Sequence, residues 1–194
     1  MGDLKFTEFM GANVIDKLKY CGVDVRLYQL AKIECPEMIE IDDHVMIFDF
    51  AFLNGRKSLK IGKYSCITWH CVIEGGANIS IGDRCFLGPG SKLLSSTYDF
   101  HDLYTSQFLP EGAFHIRYGD IVLEDDVYIG AGTVVMPGIK VGEGAIVGAN
   151  AFVNKDLEPW GIYVGSPAKK IGDRRKPSTE CKKIIDQLDW TKHF

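Results

Sequence analysis

The sequence predicts an all-β solenoid, a parallel coil wound around three flat walls. Two observations predict it. Aliphatic residues recur every six positions at Leu123, Ile129, Val135, Val141, Val147 and Val153. A longer phrase also recurs: "IEID" at 39, "LKIG" at 59, "ISIG" at 79, "IVLE" at 121 and "IKVG" at 139. Its starts lie 20, 20, 42 and 18 residues apart, so three units of six close one turn, with extra residues in three of the four steps. Fixed-period self-similarity of this kind marks a stack of repeats, each burying one face against the next.

Within each unit the fourth place after the aliphatic is compact: Val127, Thr133, Ile139, Ala145 and Ala151, and earlier Ser65, Cys71, Ala77, Cys85 and Ser91. Short strands with alternating side chains would send the aliphatic and the compact residue inward. Leu123 should then lie against Val141, Ile129 against Val147 and Val135 against Val153. Gly142, Gly144 and Gly148 of "IKVGEGAIVGAN" fall at corners, where the chain turns and adjacent turns approach closely. A dinucleotide-binding turn is excluded for them, because it needs a strand before, a helix after and an alternating βα pattern.

Three segments follow in order. Residues 1–38 lack the repeat and read as an N-terminal cap, with Val14, Ile15 and Leu18 on one face of a short helix. Residues 39–172 carry the coil, interrupted at 94–119 by "SSTYDFHDLYTSQFLPEGAFHIRYGD" and its borders. A long excursion on a rigid stack is a natural place for function, and its aromatics set it apart from a disordered linker. Residues 173–194 form a tail, with Pro177 and Ser178 opening a helix that carries Ile184, Ile185 and Leu188. Helices at both ends would cover the open stack.

Composition bounds the partners. The net charge is -4 with no long basic run, which argues against nucleic acid or an anionic membrane. No apolar run reaches the ~20 residues of a membrane span, and the opening has no secretory pattern. Six scattered cysteines without a C-x-x-C pair suit a reducing compartment, so a cytoplasmic location is expected. Cys71 and Cys85 occupy inward places and read as packing residues.

The stretch "VYIGAGTVVMPGIKVGEGAIVGANAFVNKD" followed by "VGSPAKKIG" resembles the hexapeptide-repeat acyltransferases. It is similar to sugar O-acetyltransferases of the galactoside and maltose type and to N-acyltransferases of nucleotide-linked amino sugars. The resemblance implies a left-handed parallel β-helix, acetyl-CoA as acyl donor and a homotrimer with sites between subunits. It further implies Gly130, Ala131, Gly148 and Ala149 as backbone contacts for coenzyme A, with Lys155, Lys169 and Lys170 toward its phosphates.

Acyl transfer from a thioester needs a nucleophile, a base for its proton and donors for the oxyanion. Five histidines are available, at 44, 70, 101, 115 and 193. The resemblance points to His101 in the excursion, where such enzymes carry their base; His115 is the runner-up and Asp99 a candidate to orient His101. It also implies Trp69, His70 and Glu74 as acceptor contacts. No metal is expected. A zinc enzyme of the carbonic-anhydrase type would need three converging histidines, and the excursion's two stand fourteen residues apart. A non-catalytic scaffold is the remaining reading, disfavoured by the aromatic excursion. The leading expectation is acetyl transfer to a sugar hydroxyl, with transfer to the amine of a nucleotide-linked amino sugar as the alternative.

Overall fold

In the computed structural model, residues 9–102, 104–106, 108–110 and 112–187 are described. The chain winds through three parallel walls, two of six strands and one of eight. The first wall stacks Tyr20–Cys21, Ile39–Ile41, Ser58–Ile61, Asn78–Ile81, Ile121–Leu123 and Lys140–Val141. The second runs from Arg26–Leu27 through Met46–Ile47, Cys66–Ile67, Phe86–Leu87, Tyr128–Ile129 and Ile146–Val147 to Gly161–Val164, with Lys169–Asp173 added antiparallel as its eighth strand. The third stacks Lys32–Glu34, Phe52–Asn54, Val72–Glu74, Lys92–Leu94, Val134–Val135 and Phe152–Val153.

The expected register holds. Leu123 pairs with Val141, Ile129 with Val147 and Val135 with Val153. Inward columns such as Ile41, Ile61, Ile81, Leu123 and Val141 are essentially free of solvent. Burying each such side chain contributes roughly 1.5–3 kcal/mol. The compact places are buried as well, Cys71 and Cys85 among them.

The corner glycines do two separate jobs. At Gly130 a side chain would stand 2.5 Å from the backbone N of Ala149 in the next turn, so the position demands close approach. The left-handed place in the same kind of corner is different, because it accepts large residues: His44, Tyr64, Arg84 and Trp160 all adopt positive φ there. Such conformations cost energy that the surrounding pairing must hold in place.

Extra residues collect at one corner, between the third wall and the first. Leu53 to Ile61 and Ile73 to Ile81 take eight residues, whereas Val135 to Val141 takes six. The long excursion leaves from this same corner, and the stack closes across it: Ile79, Ser80 and Ile81 pair directly with Ile121, Val122 and Leu123.

Two differences from expectation concern the ends. The stack begins ahead of residue 39, since Tyr20–Cys21 already pairs with Glu40–Ile41. Cys21 fills an aliphatic place there, which hides the first turn from a search for Ile, Leu and Val. The N-terminal helix is a 3-10 segment, Gly11–Lys17, that buries Val14 completely. At the other end a helix spans Thr179–Gln187, but the last coil is covered by the hairpin of Gly161–Val164 with Lys169–Asp173, through Tyr163 and Ala168. Leu188 lies outside the described residues.

The inward column predicts its own test. Leu123→Ala should lower the unfolding free energy by about 2–5 kcal/mol in a denaturant titration. Ser80→Ala, outward on the same wall, should change it by less than about 0.5 kcal/mol.

Candidate functional site

The excursion is a built hairpin. Ser96–Tyr98 pairs antiparallel with Ile116–Tyr118, in the register Ser96 to Tyr118, Thr97 to Arg117 and Tyr98 to Ile116. Its base is tied to the stack by Ser95, fully buried, whose Oγ accepts the N–H of Ala77 at 2.9 Å and donates to the carbonyl of Glu74 at 3.1 Å. Gly119 N–H closes the base on the carbonyl of Ser95 at 3.0 Å.

Beyond the stem, two ion pairs clamp the turn that carries His101. Arg117 donates to both oxygens of Asp99, at 2.8 and 3.0 Å, a bidentate geometry. His115 Nδ1 meets Asp102 Oδ1 at 3.0 Å, and its backbone N–H also bonds that carboxylate. Asp99 Oδ1 accepts the backbone N–H of His101 at 3.0 Å. Asp99 therefore shapes the turn and holds Arg117. It does not fix the ring of His101 as expected from sequence.

The electrostatics follow from these contacts. Asp99 lies below the usual carboxylate range through the His101 N–H and the Arg117 guanidinium. Asp102 is lowered by the hydrogen bond from His115, and the same bond raises His115. His115 is thereby shifted toward its charged form.

The expected acceptor residues separate. Trp69 and His70 sit at the corner between the second and third walls, where Trp69 packs against Phe48 and His70 stacks on Phe50 with ring centroids 5.0 Å apart. Glu74 ends the Val72–Glu74 strand at the opposite edge, beside the hairpin base. The expected coenzyme positions do come together, since Gly130 lies against Gly148 and Ala149 at the Trp69–His70 corner of higher turns. Lys169 pairs with Val164, whose side chain faces Gly148. Lys170 is engaged by Glu158 at 3.0 Å and Asp173 at 2.9 Å, and Lys155 is exposed at the far end of the third wall. His44 is buried near Asp24 and stacks on Tyr64, which makes it a structural residue; His193 lies outside the described residues.

A cavity of about 730 Å³ opens at the widened corner beneath the hairpin, bounded by Arg56, Lys57, Glu74, Tyr98, Tyr118 and Asp120. Sequence reasoning missed it, along with Arg117 and Ser95. The available signal was the pair of extra residues in each lower turn, which places "NGRK" and "EGGAN" one above the other. Among the described residues no cluster of three or more His, Cys, Asp or Glu is arranged to hold a metal, and no helix is long and apolar enough to cross a membrane.

Residues 120–155 match the family "Bacterial transferase hexapeptide (six repeats)", and residues 78–92 match "Hexapeptide repeat of succinyl-transferase". A chloramphenicol acetyltransferase of Agrobacterium fabrum is 32% identical over 158 residues, covering 69% of this chain and 75% of that protein. The chain belongs to the hexapeptide-repeat acyltransferase family. It is also 29% identical over 169 residues to a dTDP-4-amino-4,6-dideoxy-D-glucose acyltransferase of Escherichia coli, covering 86% of this chain and 88% of that one. Among solved structures it resembles AntD, an N-acyltransferase from Bacillus cereus in complex with dTDP and 3-hydroxybutyryl-CoA. The TM-score is 0.83 at 26% identity, over 97% of this chain and 100% of that one. Not every relative is matched so fully: the matched stretch is 56% of the length of a Schizosaccharomyces pombe relative.

The clamp predicts a titration. His115 should titrate above the ordinary histidine value of about 6.5 by NMR, and Asp102→Asn should move it back down. Because the folded value is raised, the clamp's contribution is complete below the ordinary value and is lost as pH rises through the raised one.

Proposed function

We propose that this chain transfers an acyl group from an acyl-CoA to the amine of a nucleotide-linked amino sugar. The observation that carries this reading is the extent of the likeness to AntD, which runs over 97% of this chain and all of that N-acyltransferase. The E. coli acyltransferase named for dTDP-4-amino-4,6-dideoxy-D-glucose supports it at 88% of its length.

The chemistry asked of the residues is limited. The amine attacks the thioester carbonyl and forms a tetrahedral intermediate. Collapse breaks the C–S bond, leaving an amide and the coenzyme A thiol after one proton passes from nitrogen to sulfur. His101 is the proposed carrier of that proton, since the clamps on either side leave it at the tip of the turn while His115 is held toward its charged form. Gly130, Ala131, Gly148 and Ala149 would admit the pantetheine arm to the backbone, as absent side chains allow close approach. Lys155 and Lys169 are the proposed phosphate contacts, with Lys170 already neutralised by two carboxylates.

The site needs a second copy of the chain. The hairpin leaves from one edge of the third wall, while the small-residue corner lies at the other edge. The outward side of the second wall supports a homotrimer, because Phe86 and Tyr128 stack there, 38% and 40% exposed, in line with Met46, Cys66 and Ile146. The corresponding places on the first wall are Tyr20, Glu40, Lys60, Ser80, Val122 and Lys140, a more polar column in which three residues are charged and Glu40 pairs with Lys60 at 3.2 Å. Hairpin aromatics such as Phe100 and Phe108, 80% and 91% exposed in one chain, are suited to meet a neighbour.

A hydroxyl acceptor is the second reading, favoured by the likeness to chloramphenicol acetyltransferases and by a histidine in the excursion. One assay separates the two. With acetyl-CoA, turnover should be found on a dTDP-linked amino sugar and be at least about tenfold lower on free sugars and chloramphenicol. His101→Ala should cut kcat by roughly 10²–10⁴ if the acceptor is a hydroxyl, and by much less with an amine. Phe86→Glu should convert a trimer to monomer by light scattering and abolish turnover in both cases.

A further inference from the structure

The cavity at the widened corner belongs to neither the histidine turn nor the small-residue corner, and its chemistry is sorted by height. Its lower rim carries two cations, Arg56 and Lys57, on the three-residue corner between Phe52–Asn54 and Ser58–Ile61. The Asn54 side chain accepts the N–H of Arg56 at 3.0 Å and fixes that corner. Neither cation forms an ion pair among the described residues.

The floor is backbone. A side chain at Gly76 would strike Ser96 and Tyr118, and one at Gly75 would stand 2.8 Å from the carbonyl of Asn54. On the upper rim, Asp120 accepts the Asn78 backbone N–H at 3.0 Å and the Asn78 amide at 3.1 Å on each oxygen. Those bonds, with Lys57 nearby, hold its carboxyl below the usual range, so it is ionised at neutral pH. Tyr98 and Tyr118, from the two strands of the hairpin stem, form the aromatic side.

We infer that this cavity binds the nucleoside diphosphate part of the acceptor, with Arg56 and Lys57 on its phosphates and Tyr98 and Tyr118 beside its base. The inference rests on the reading of a nucleotide-linked acceptor and adds where that nucleotide is held. Size fits, since sites for small ligands run to about 300–1,000 Å³. Charge fits, because a diphosphate needs two cations at one end, whereas the carboxylates Glu74 and Asp120 can accept from N–H and O–H groups of base and sugar. The two extra residues in each lower turn then have a role, since they are what opens the corner.

The test uses the whole protein and dTDP as probe, measured by calorimetry beside coenzyme A. The wild type should bind both. R56A/K57A should lose at least about tenfold in dTDP affinity and in KM for a dTDP-linked amino sugar, with kcat changed less than about threefold and coenzyme A binding unchanged. Tyr118→Ala should weaken dTDP without steepening its salt dependence, while R56A/K57A should flatten that dependence. Unaltered dTDP affinity in R56A/K57A, with the wild type still acylating the nucleotide-linked substrate, overturns the cavity assignment and leaves the proposed reaction standing. The reverse result, dTDP bound through Arg56 and Lys57 but no acylation of any nucleotide-linked amino sugar, keeps the cavity and removes the reaction.

Discussion

Every feature of this molecule depends on backbone hydrogen bonding between successive turns. The N–H of Gly62 reaches the carbonyl of Ile81 at 2.8 Å, Gly82 reaches Leu123 at 2.8 Å, and Gly130 reaches Val147 at 2.7 Å. Parallel strands must stay roughly 4.8 Å apart for such bonds to form. That spacing leaves no height for a side chain where the backbones of two turns come closest, hence glycine at 62, 82, 88 and 130. It also forbids any extra residue within a wall. Added length must leave sideways at a corner, and here all of it leaves at the same one. The excursion is the extreme case, and the wall heals across it as if nothing intervened, with Ile79 beside Ile121.

The corners also carry a polar ladder that the walls do not. Asp43 accepts the N–H of Val23 at 2.9 Å, Asp83 that of Lys63 at 2.8 Å, and Asp125 that of Asp83 at 2.9 Å. Each carboxylate takes a donor that the turn leaves unpaired, which is why Asp recurs after the wall strands. Arg84, in a left-handed conformation, locks onto Asp126 through two bonds of 2.8 and 2.9 Å. The strained backbone at these residues is stabilised by side-chain contacts running along the corner, turn over turn.

The walls were legible in the sequence because burial repeats with the strand period and leaves aliphatic residues six apart. Leu123, Ile129 and Val135 stand on three different walls, and each pairs as the spacing required. The first turn was hidden because Cys21 serves where the template asks for an aliphatic residue, although it is still partly buried. The glycines were legible as corner residues for the same reason as the walls, since close approach constrains residue type, while their part toward coenzyme A came from the resemblance alone. Tertiary pairings within the excursion were not legible. Asp99 was expected beside the ring of His101, being two residues away, yet it is Arg117, eighteen residues on, that captures both its oxygens. A hairpin's register is set by which residues face each other across its stem, and no six-residue beat runs there to reveal it. Trp69, His70 and Glu74 were grouped as acceptor contacts on the family resemblance, but a strand of three residues carries Glu74 to the other edge of the wall.

That separation explains how a solenoid with so little freedom can present a site at all. In its upper turns one edge of the third wall offers only small residues, Gly130, Ala131, Gly148 and Ala149, suited to an extended thin ligand. The other edge offers length, and with length come a cavity, a clamped turn and an imidazole that no rigid turn could hold outward. Neither edge has what the other supplies. In a single chain they lie at opposite edges of that wall, and the proposed homotrimer would join them by bringing different copies edge to edge. The apolar stripe of Phe86 and Tyr128 is placed on the wall that ends at the flat-backbone edge, where such a meeting would put a neighbour's hairpin within reach. The constraint that keeps the turns in register thus also pushes the available side chains and added length onto corners, and in the proposed homotrimer those corners would meet at the boundary between chains.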